Sequence, residues 1–410
     1  MLKEKLLRLR YLIVLAGLMV LMTTIVAAES DSPSAKESDD ESIISFLETF
    51  DGDPEEPTTW RSPNWDVTVH SRERDTWFEL EPMDAHHGAN CEPPFNTHEI
   101  SSYEETVFQC KNHMMTAINA DMYGLIYLTP DHMVDFSEEE AIIRFDLSTA
   151  RASERDWIDL WITPYDDHLQ LPLTDWLPDL NGEPREALHI SMDFSGYSRF
   201  VGEVIHDFEA ETLPSTDEGW LGYEYLLDPS PKKRETFELR ISETSIKFGL
   251  PEHDFWWIDA SFEELGWEKG VVQFGHHSYS PTKCDDCAPN TWHWDNISIE
   301  PAIPFTILSA DTRYVNEDTE PEVSFEEPAP EEAHLRFSGI GNDLEISVDG
   351  GETWFEAELQ AQEQYASELF RSYWTPIPPG TTDIQIRGDD WWGAGWHVRD
   401  ISIWALEESY

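Results

Sequence analysis

The feature that most constrains the fold is a succession of short runs in which large apolar residues alternate with polar ones. Clusters of turn-forming residues separate these runs, which are rich in β-branched and aromatic side chains. Such alternation is typical of strands that bury one face. The clearest runs are residues 65–70, 124–128, 141–147, 157–163, 236–242, 245–250, 271–274, 292–299, 335–338, 344–348, 382–387 and 398–405. We therefore predict an all-β chain.

Two segments depart from this pattern. Tyr103–Ala120 is predicted to form one helix, and Phe262–Leu265 is predicted to form a single helical turn. Eighteen tryptophans and 26 prolines argue against a larger helical bundle.

The chain is too long for one ordinary domain, because 410 residues correspond to two or three. Residues 44–302 carry many strand-like runs and are predicted to form a large antiparallel sandwich. A break follows at Pro301–Pro304, and residues 303–410 are predicted to form a smaller β-sandwich. Residues 29–43, rich in Ser, Asp and Glu, read as an acidic disordered linker.

The N-terminus has the form of an export signal. A basic start precedes the almost wholly apolar segment 11–26, and small residues then permit cleavage after Ala28. Residues 1–28 are thus predicted to be a signal peptide, with an uncleaved membrane anchor as the alternative. Both interpretations place the rest of the chain outside the cytoplasm, as a secreted or cell-surface protein.

The formal net charge of −57 restricts the partners. A surface this negative repels phosphate backbones, so nucleic-acid binding is excluded. Anionic lipids are disfavoured for the same reason, which leaves an uncleaved N-terminal segment as the predicted membrane contact.

The cysteine content suits an oxidising compartment. Local pairing is expected between Cys91 and Cys110 and between Cys284 and Cys287. The alternative is a zinc site, since Cys91 and Cys110 lie at ligand-like spacing from His87 and His113.

The first candidate binding residues lie in the run 157–163. Residues two apart on a strand share a face, so Trp157, Asp159 and Trp161 are expected to project together. An acid between two indoles suits a sugar, because the rings pack on its C–H faces and the carboxylate accepts its hydroxyl groups. Alternatively, the tryptophans belong to the core and Asp159 is a satisfied buried acid.

The second set lies at the end of the run that starts at Val271. His276 and His277 must point to opposite faces of a strand, so at most one of them faces a ligand, and Tyr279 follows them. Trp292 begins the next run and adds a further aromatic candidate. A histidine here could hydrogen-bond a sugar, ligate a metal, or act as a general acid or base alongside Asp159. The alternative is cross-strand hydrogen bonding without function.

Residues 44–302 resemble concanavalin A-like jelly-roll domains, which include laminin-G-like modules and family-16-type glycoside hydrolases. The resemblance rests on the strand Val271-Val-Gln-Phe274, the closing strand Trp294-Asp-Asn-Ile-Ser-Ile299, and the strand pair 237–242 and 246–250. It implies two curved antiparallel sheets with a carbohydrate-facing groove. It also implies a structural calcium ion, for which Asp295 is the candidate ligand.

The chain departs from that family at the residues that carry its catalysis. Retaining hydrolases of this type place two glutamates on one strand face, and no Glu-x-Asp-x-Glu pattern occurs here. If 157–161 is the equivalent strand, Trp157 and Trp161 occupy both glutamate positions. The resemblance therefore favours sugar binding over that hydrolysis mechanism.

The C-terminal region carries one Asp-box pattern, Ser347-x-Asp349-x-Gly351-x-Thr353-Trp354. A single copy predicts a stable hairpin and not an active site. Trp391 and Trp392 lie near glycines and are candidates for an aromatic ligand platform, with core packing as the alternative. The region is expected to be an Ig-like or carbohydrate-binding accessory module.

Three hypotheses follow for the function. The first is a secreted protein that binds a glycan or polysaccharide in a Trp-lined groove. The second is a glycoside hydrolase or polysaccharide lyase with a non-standard acid/base pair, and the third is a structural cell-surface β-protein without a ligand.

Overall fold

The computed structural model of the protein describes residues 45–50, 65–72, 105–110, 113–118, 123–151, 156–165, 185–193, 199–207, 209–216, 234–279, 290–312, 314–318, 321–358, 371–389 and 395–406. In these ranges the regular structure is β-strand, apart from a 3-10 turn at Pro251–His253. The predicted all-β class is confirmed. Across the described segments, no helix is long and apolar enough to cross a membrane.

The strands of the described ranges, in chain order, are β1 (Phe46–Glu48), β2 (Trp65–Arg72), β3 (Glu105–Cys110), β4 (His113–Ile118), β5 (Tyr123–Pro130), β6 (His132–Asp135), β7 (Ala141–Arg151), β8 (Asp156–Thr163), β9 (Ala187–Asp193), β10 (Arg199–His206), β11 (Glu209–Thr212), β12 (Glu235–Ser242), β13 (Ser245–Leu250), β14 (Phe255–Ser261), β15 (Lys269–Tyr279), β16 (Asn290–Glu300), β17 (Ala302–Ser309), β18 (Tyr314–Asn316), β19 (Glu322–Ser324), β20 (His334–Ile340), β21 (Asn342–Ser347), β22 (Phe355–Glu356), β23 (Arg371–Pro376), β24 (Asp383–Asp389) and β25 (His397–Leu406). Every run predicted from the sequence overlaps one of these strands.

The strands form three antiparallel sheets within the described ranges. The first sheet has the order β14-β13-β12-β7-β16-β4-β3, and β1 pairs with β16. The second has the order β11-β10-β9-β8-β15-β6-β17-β25-β20-β23, and β5 pairs with both β15 and β2. The third has the order β19-β24-β21-β22.

The first sheet packs face to face on the β10-to-β5 part of the second. Phe145 of β7 meets Phe274 of β15 with ring centroids 5.5 Å apart. Further along, Phe200 of β10 stacks on Trp257 of β14 at 3.8 Å. These side chains belong to one buried cluster that draws on both sheets. Each fully buried ring of this kind contributes roughly 2–3 kcal/mol through removal of apolar surface from water.

A second buried cluster lies between the third sheet and the C-terminal strands β20, β23 and β25. Ile384 and Ile346 enter it from the third sheet, and Phe337 and Ile403 from the other side. The C-terminal strands thus form a second sandwich with its own core, called here the C-terminal sandwich.

Strand β17 connects the two sandwiches within one continuous sheet. Its residues Ala302–Pro304 pair with β6, and Phe305–Ser309 pair with β25. Residues Ile43–Tyr410 accordingly form one compact unit. The division into domains at residue 302 stays a prediction.

The prediction of a helix at Tyr103–Ala120 is wrong. The segment forms the β3–β4 hairpin, in which Phe108 lies opposite Met115. Strand β4 also pairs with β16, where Met114 lies opposite Trp294. A short amphipathic run can satisfy either period, and here pairing with β16 decides the outcome.

The predicted helical turn at Phe262–Leu265 is also wrong. The Phe262 amide donates to the Thr244 carbonyl at 3.0 Å, and the Leu265 amide donates to the Glu243 carbonyl at 3.1 Å. These bonds hold the segment against the β12–β13 turn, so its amides are satisfied outside any helix.

Several expectations lie outside the described residues. They concern the export signal at 1–28, the linker at 29–43, the cysteines at 91, 284 and 287, and the tryptophans at 391 and 392. The Cys110 side chain is not described either. The disulfide pairing and the aromatic platform remain predictions.

A buried ion pair joins the two sandwiches. Arg336 of β20 donates to the Asp66 carboxylate of β2 at 2.7 Å, and both side chains are almost wholly buried. The Arg336 guanidinium also lies 5.5 Å from the ring centroid of Trp404. Because neither charge reaches water, the opposite charge of the partner offsets part of the cost of burying each group.

We predict that Arg336→Met destabilises the protein by about 3–5 kcal/mol, because it removes the cation that is bonded to the buried Asp66 carboxylate. Urea denaturation measures this loss. Lys269→Met is the control: its partner Asp135 lies 3.8 Å away and Lys269 is half exposed, so we expect a loss of at most about 1 kcal/mol. A similar small loss for both variants would contradict the prediction.

Candidate functional site

Strand β8 presents the three residues expected from the sequence on one face. Trp157, Asp159 and Trp161 lie opposite His277, Gly275 and Gln273 of β15, in that order. Residues directly opposite in an antiparallel pair share a face, so both strands contribute to the same surface. The face turned away from the sandwich interior is therefore polar and aromatic at the centre of the second sheet.

The same surface continues onto the strands on either side. His189 of β9 lies opposite Trp161, and Tyr127 of β5 lies opposite Gly275. We call this surface the polar face and define it by its central residues, which are Tyr127, Trp157, Asp159, Trp161, His189, Gln273 and His277.

Asp159 is the centre of a hydrogen-bonded network. One carboxylate oxygen lies 3.3 Å from His189 Nε2. The other contacts His277 Nε2 and lies 3.5 Å from the Tyr127 hydroxyl. Burial favours the neutral acid, but the charge of His277 and the hydrogen bond from His189 outweigh it and hold the Asp159 pKa well below its usual range. Asp159 is therefore an ionised, fully engaged organiser of the face.

His189 lies between two carboxylates. Its Nε2 faces Asp159, and its Nδ1 lies 3.0 Å from Glu203 of β10. Burial opposes protonation, yet the hydrogen bonds to Asp159 and Glu203 raise the His189 pKa from 6.5 to about 9. With an acceptor at each nitrogen, the imidazolium form satisfies both ring N–H groups.

Tyr127 is the third residue in contact with Asp159 in this network. Its hydroxyl lies 3.2 Å from His277 Nε2, and the phenol is completely buried. Burial and the nearby Asp159 carboxylate raise the Tyr127 pKa well above 10. The phenol is therefore neutral at physiological pH. Gly275 makes room for it, because a Cβ there would lie 2.6 Å from the Tyr127 ring.

Two indole–imidazole stacks flank Asp159. The Trp157 ring stacks on His277 with centroids 4.8 Å apart, and the Trp161 ring stacks on His189 at 3.8 Å. Trp161 is buried, whereas Trp157 is half-buried and keeps part of its surface exposed. Trp157 is thus the aromatic ring of the polar face that an incoming molecule can touch.

Gln273 supplies an unsatisfied polar group on the same face. Its side-chain amide donates to the Thr129 hydroxyl at 2.9 Å. Its carbonyl oxygen is buried and has no hydrogen-bond partner in the described parts of the chain. An unpaired buried acceptor costs free energy, so Gln273 is a polar group that the fold leaves only partly satisfied.

The two adjacent histidines separate as the strand period requires. His277 joins the polar face, whereas His276 points into the sandwich interior, where its Nδ1 lies 2.9 Å from the Thr116 hydroxyl. Trp292 is also fully buried in that interior cluster. His276 and Trp292 therefore lie away from the polar face. The backbone of Tyr279 belongs to β15, but its side chain is outside the described part.

The described surroundings of Asp295 do not fit a calcium site. The Asp295 carboxylate pairs with the Arg234 guanidinium and accepts a hydrogen bond from the Asn296 amide at 2.9 Å. A bound guanidinium disfavours a divalent cation on the same carboxylate. Within the described ranges, no cluster of three or more His, Cys, Asp or Glu residues could hold a metal ion.

His113, a ligand in the zinc alternative, lies on the first sheet beside His293, with ring centroids 4.9 Å apart. Burial and the nearby Arg234 lower the His113 pKa to about 4. Of the other residues of that alternative, His87 and Cys91 lie outside the described ranges, and the side chain of Cys110 is not described.

The Asp349 turn has the local bonds expected of a tight hairpin. Its carboxylate accepts from the Thr353 amide at 2.9 Å, and the Trp354 indole donates to the Gly351 carbonyl at 3.1 Å. Hydrogen bonds from the Thr353 side chain and amide lower the Asp349 pKa to about 2. The carboxylate is occupied by its own turn, as a structural role requires.

Sequence reasoning missed Tyr127, His189 and Glu203. Tyr127 lies on β5, which pairs with β15; His189 lies on β9, which pairs with β8; and Glu203 lies on β10, which pairs with β9. Their place beside the predicted site residues depends on the order of the strands in the sheet. The hydrophobic alternation around residues 187–193 was a usable signal, because it places His189 and Ser191 on one face and Leu188, Ile190 and Met192 on the other.

We predict an NMR titration midpoint near pH 9 for the His189 ring. In Asp159→Asn the midpoint falls by about 1 unit or more, because one of the two carboxylates loses its charge. Asp131→Asn removes the carboxylate beside His132 and serves as the control that leaves His189 unchanged.

The raised pKa of His189 also makes the stability of the protein depend on pH. The folded pKa of His189 exceeds its unfolded value, so its stabilising contribution is fully present below about pH 6.5 and is lost as the pH rises through about 9. His189→Gln removes this pH dependence. A wild-type midpoint at or below pH 6.5 would contradict the described network.

No protein-family model and no curated protein matches the sequence. Several solved structures are weakly similar to this chain. The β-glucanase of Bacillus licheniformis is 9% identical, covers 62% of this chain and 97% of its own, and has a TM-score of 0.35. A Bacillus subtilis protein of galectin-like fold is 11% identical, covers 49% and 87%, and has a TM-score of 0.34. The carbohydrate binding module CBM66 from Bacillus subtilis is 10% identical, covers 45% and 85%, and has a TM-score of 0.26. At these TM-scores the likenesses carry no argument about function.

Proposed function

We propose that the protein is an exported carbohydrate-binding protein and that the polar face holds the glycan. The observation that carries this proposal is the half-buried Trp157 ring, stacked on an imidazole that Asp159 and Tyr127 hold in place. A sugar ring presents C–H groups that pack on an aromatic face, and its hydroxyl groups bond to fixed polar groups alongside.

The fixed orientation of Trp157 supports this role. One side of the indole is covered by His277, and the His277 ring is itself held by two buried hydrogen-bonding groups. A platform that is already ordered loses little conformational entropy when a ligand binds. An unanchored surface tryptophan would lose more.

The polar groups around the platform match a neutral sugar. Glu203 is partly exposed beside His189 and can accept hydroxyl donors. The cationic His189 lies between the carboxylates of Asp159 and Glu203, so no cation of the described network is left free to attract an anionic polymer. The formal net charge of −57 also repels an anionic polymer.

The contact of Asp159, His277 and Tyr127 supports a second candidate, a hydrolase or lyase. A carboxylate that orients an imidazole beside a phenol is an arrangement that moves protons in enzymes. We rank it second because the Asp159 carboxylate is engaged on both oxygens and Tyr127 is completely buried. Release of reducing ends, or of unsaturated uronate products, from a polysaccharide panel would establish catalysis.

We predict that the purified protein binds a glycan on an array and that Trp157→Ala weakens this binding about tenfold, the equivalent of one lost ring contact. Near-UV circular dichroism checks that each variant is folded. The matched control is Trp256→Ala, since Trp256 is half-buried on the first sheet, where Lys247 lies 4.4 Å from its ring centroid.

Equal loss of binding in both folded variants would contradict the assignment to the polar face. A folded wild-type protein that binds no glycan would contradict the proposed function and favour the structural hypothesis. Running the array with calcium and with a chelator tests for a metal requirement separately.

A further inference from the structure

We infer that Asn296 is a site of covalent N-glycosylation, at which the exported protein carries an oligosaccharide on the outer face of the first sheet. This inference rests on the export that is part of the proposed function, but not on the binding of a glycan at the polar face. It is carried by a sequence motif and by the surface on which that motif lies.

The motif is Asn296-Ile297-Ser298. An asparagine followed two residues later by serine or threonine is the acceptor pattern for N-linked sugars, provided that the residue between them is not proline. No other asparagine of the sequence has a serine or threonine at that spacing. The chain therefore offers one acceptor, and it lies in the described strand β16.

The backbone of β16 turns the asparagine outward. The pairing with β7 is interrupted between Asp295 and Ser298, and Asn296 has a φ of 47°, in the left-handed region. A bulge of this kind leaves its extra residue out of the ladder. Ile297 is fully buried in the sandwich core, whereas Asn296 is exposed. Asn296 therefore projects from the face of the first sheet that points away from the core.

The surface beside the motif is open. Leu47 of β1 and Arg144 of β7 lie opposite Ser298, one on each side of β16. Leu47 is 63% exposed, and the Arg144 side chain is 39% exposed. A bulky group attached to Asn296 thus has room above these neighbours. The polar face belongs to the other sheet, so a sugar chain at Asn296 leaves it uncovered.

The Asn296 amide can accept a sugar and keep its contact within the protein. Nδ2 carries two hydrogens, and one N–H donates to the Asp146 carboxylate at 2.8 Å. Glycosylation forms a bond between Nδ2 and the anomeric carbon of a sugar that is donated as a lipid-linked phosphate or pyrophosphate ester. The bond between that carbon and the phosphate oxygen breaks, and the phosphate leaves with the bonding electrons and takes up the proton that Nδ2 loses. The N–H that remains still reaches Asp146.

The local backbone accounts for only part of the motif. Asparagine tolerates the left-handed region better than most residues, so a purely structural role would explain Asn296. That role does not require a hydroxyl group at Ser298, which is half-buried on the same outer face. Removal of this hydroxyl group therefore distinguishes a modification site from a structural turn.

The test uses protein recovered from the medium or the surface of the cells that naturally make it. Peptides that contain Asn296 are analysed by tandem mass spectrometry. For the wild-type protein we expect a mass above that of the unmodified peptide by at least one sugar residue, with the added mass on Asn296. In Ser298→Ala, which keeps Asn296 and its bulge, we expect the modified peptide to disappear. Ser298→Thr keeps the acceptor pattern and is the control that retains the modification.

The outcomes separate this inference from the proposed function. Modification in the wild type and in Ser298→Thr, together with its loss in Ser298→Ala, supports the inference. Exported protein in which the Asn296 peptide has its unmodified mass would overturn the inference while the proposed function stood. Modification that persists in Ser298→Ala would overturn it too, because the added mass would not depend on the acceptor pattern. Recovery of the protein only from inside the cells would overturn both the export and this inference.

Discussion

The strict alternation of β15 is the constraint on which the rest of the structure depends. This strand lies at the centre of the second sheet, with β8 on one side and β5 and β6 on the other. Val272, Phe274 and His276 enter the sandwich core, and Gln273, Gly275 and His277 form the polar face. Because the side-chain period is two, one strand fixes both the hydrophobic packing and the candidate site.

Burying the polar face costs free energy, and hydrogen bonds among its own residues offset that cost. An isolated carboxylate with no access to water would be strongly destabilising. Asp159 avoids this cost through His189, His277 and Tyr127, and His189 in turn satisfies Glu203. The same mutual satisfaction fixes the rings on which Trp157 and Trp161 stack. Pre-organisation of this kind is what a binding surface requires, and a core made only of hydrophobic residues would be simpler if stability alone were needed.

The sequence predicts the strands well because alternation and β-branched residues are local signals. It also predicts that Trp157, Asp159 and Trp161 share a face, and that only one of His276 and His277 can join them. It could not identify Tyr127 as a neighbour, since Tyr127 and His277 are 150 residues apart in the chain. Nor could it identify His189, since alternation alone does not show that β9 pairs with β8. The helix prediction at 103–120 was wrong because β4 pairs with β16, which lies almost 180 residues later in the chain.

The central claim is that the polar face, and not another surface, contacts the ligand. Histidine-selective NMR tests it directly, because His189 and His277 lie on the polar face while His113 and His293 lie on the first sheet. The ring signals are followed as cello-, laminari-, malto-, manno- and xylo-tetraose are added in turn. We predict that at least one sugar moves the His189 and His277 signals and leaves those of His113 and His293 in place. Shifts confined to His113 and His293, or no shift with any sugar that the protein binds, would contradict the account.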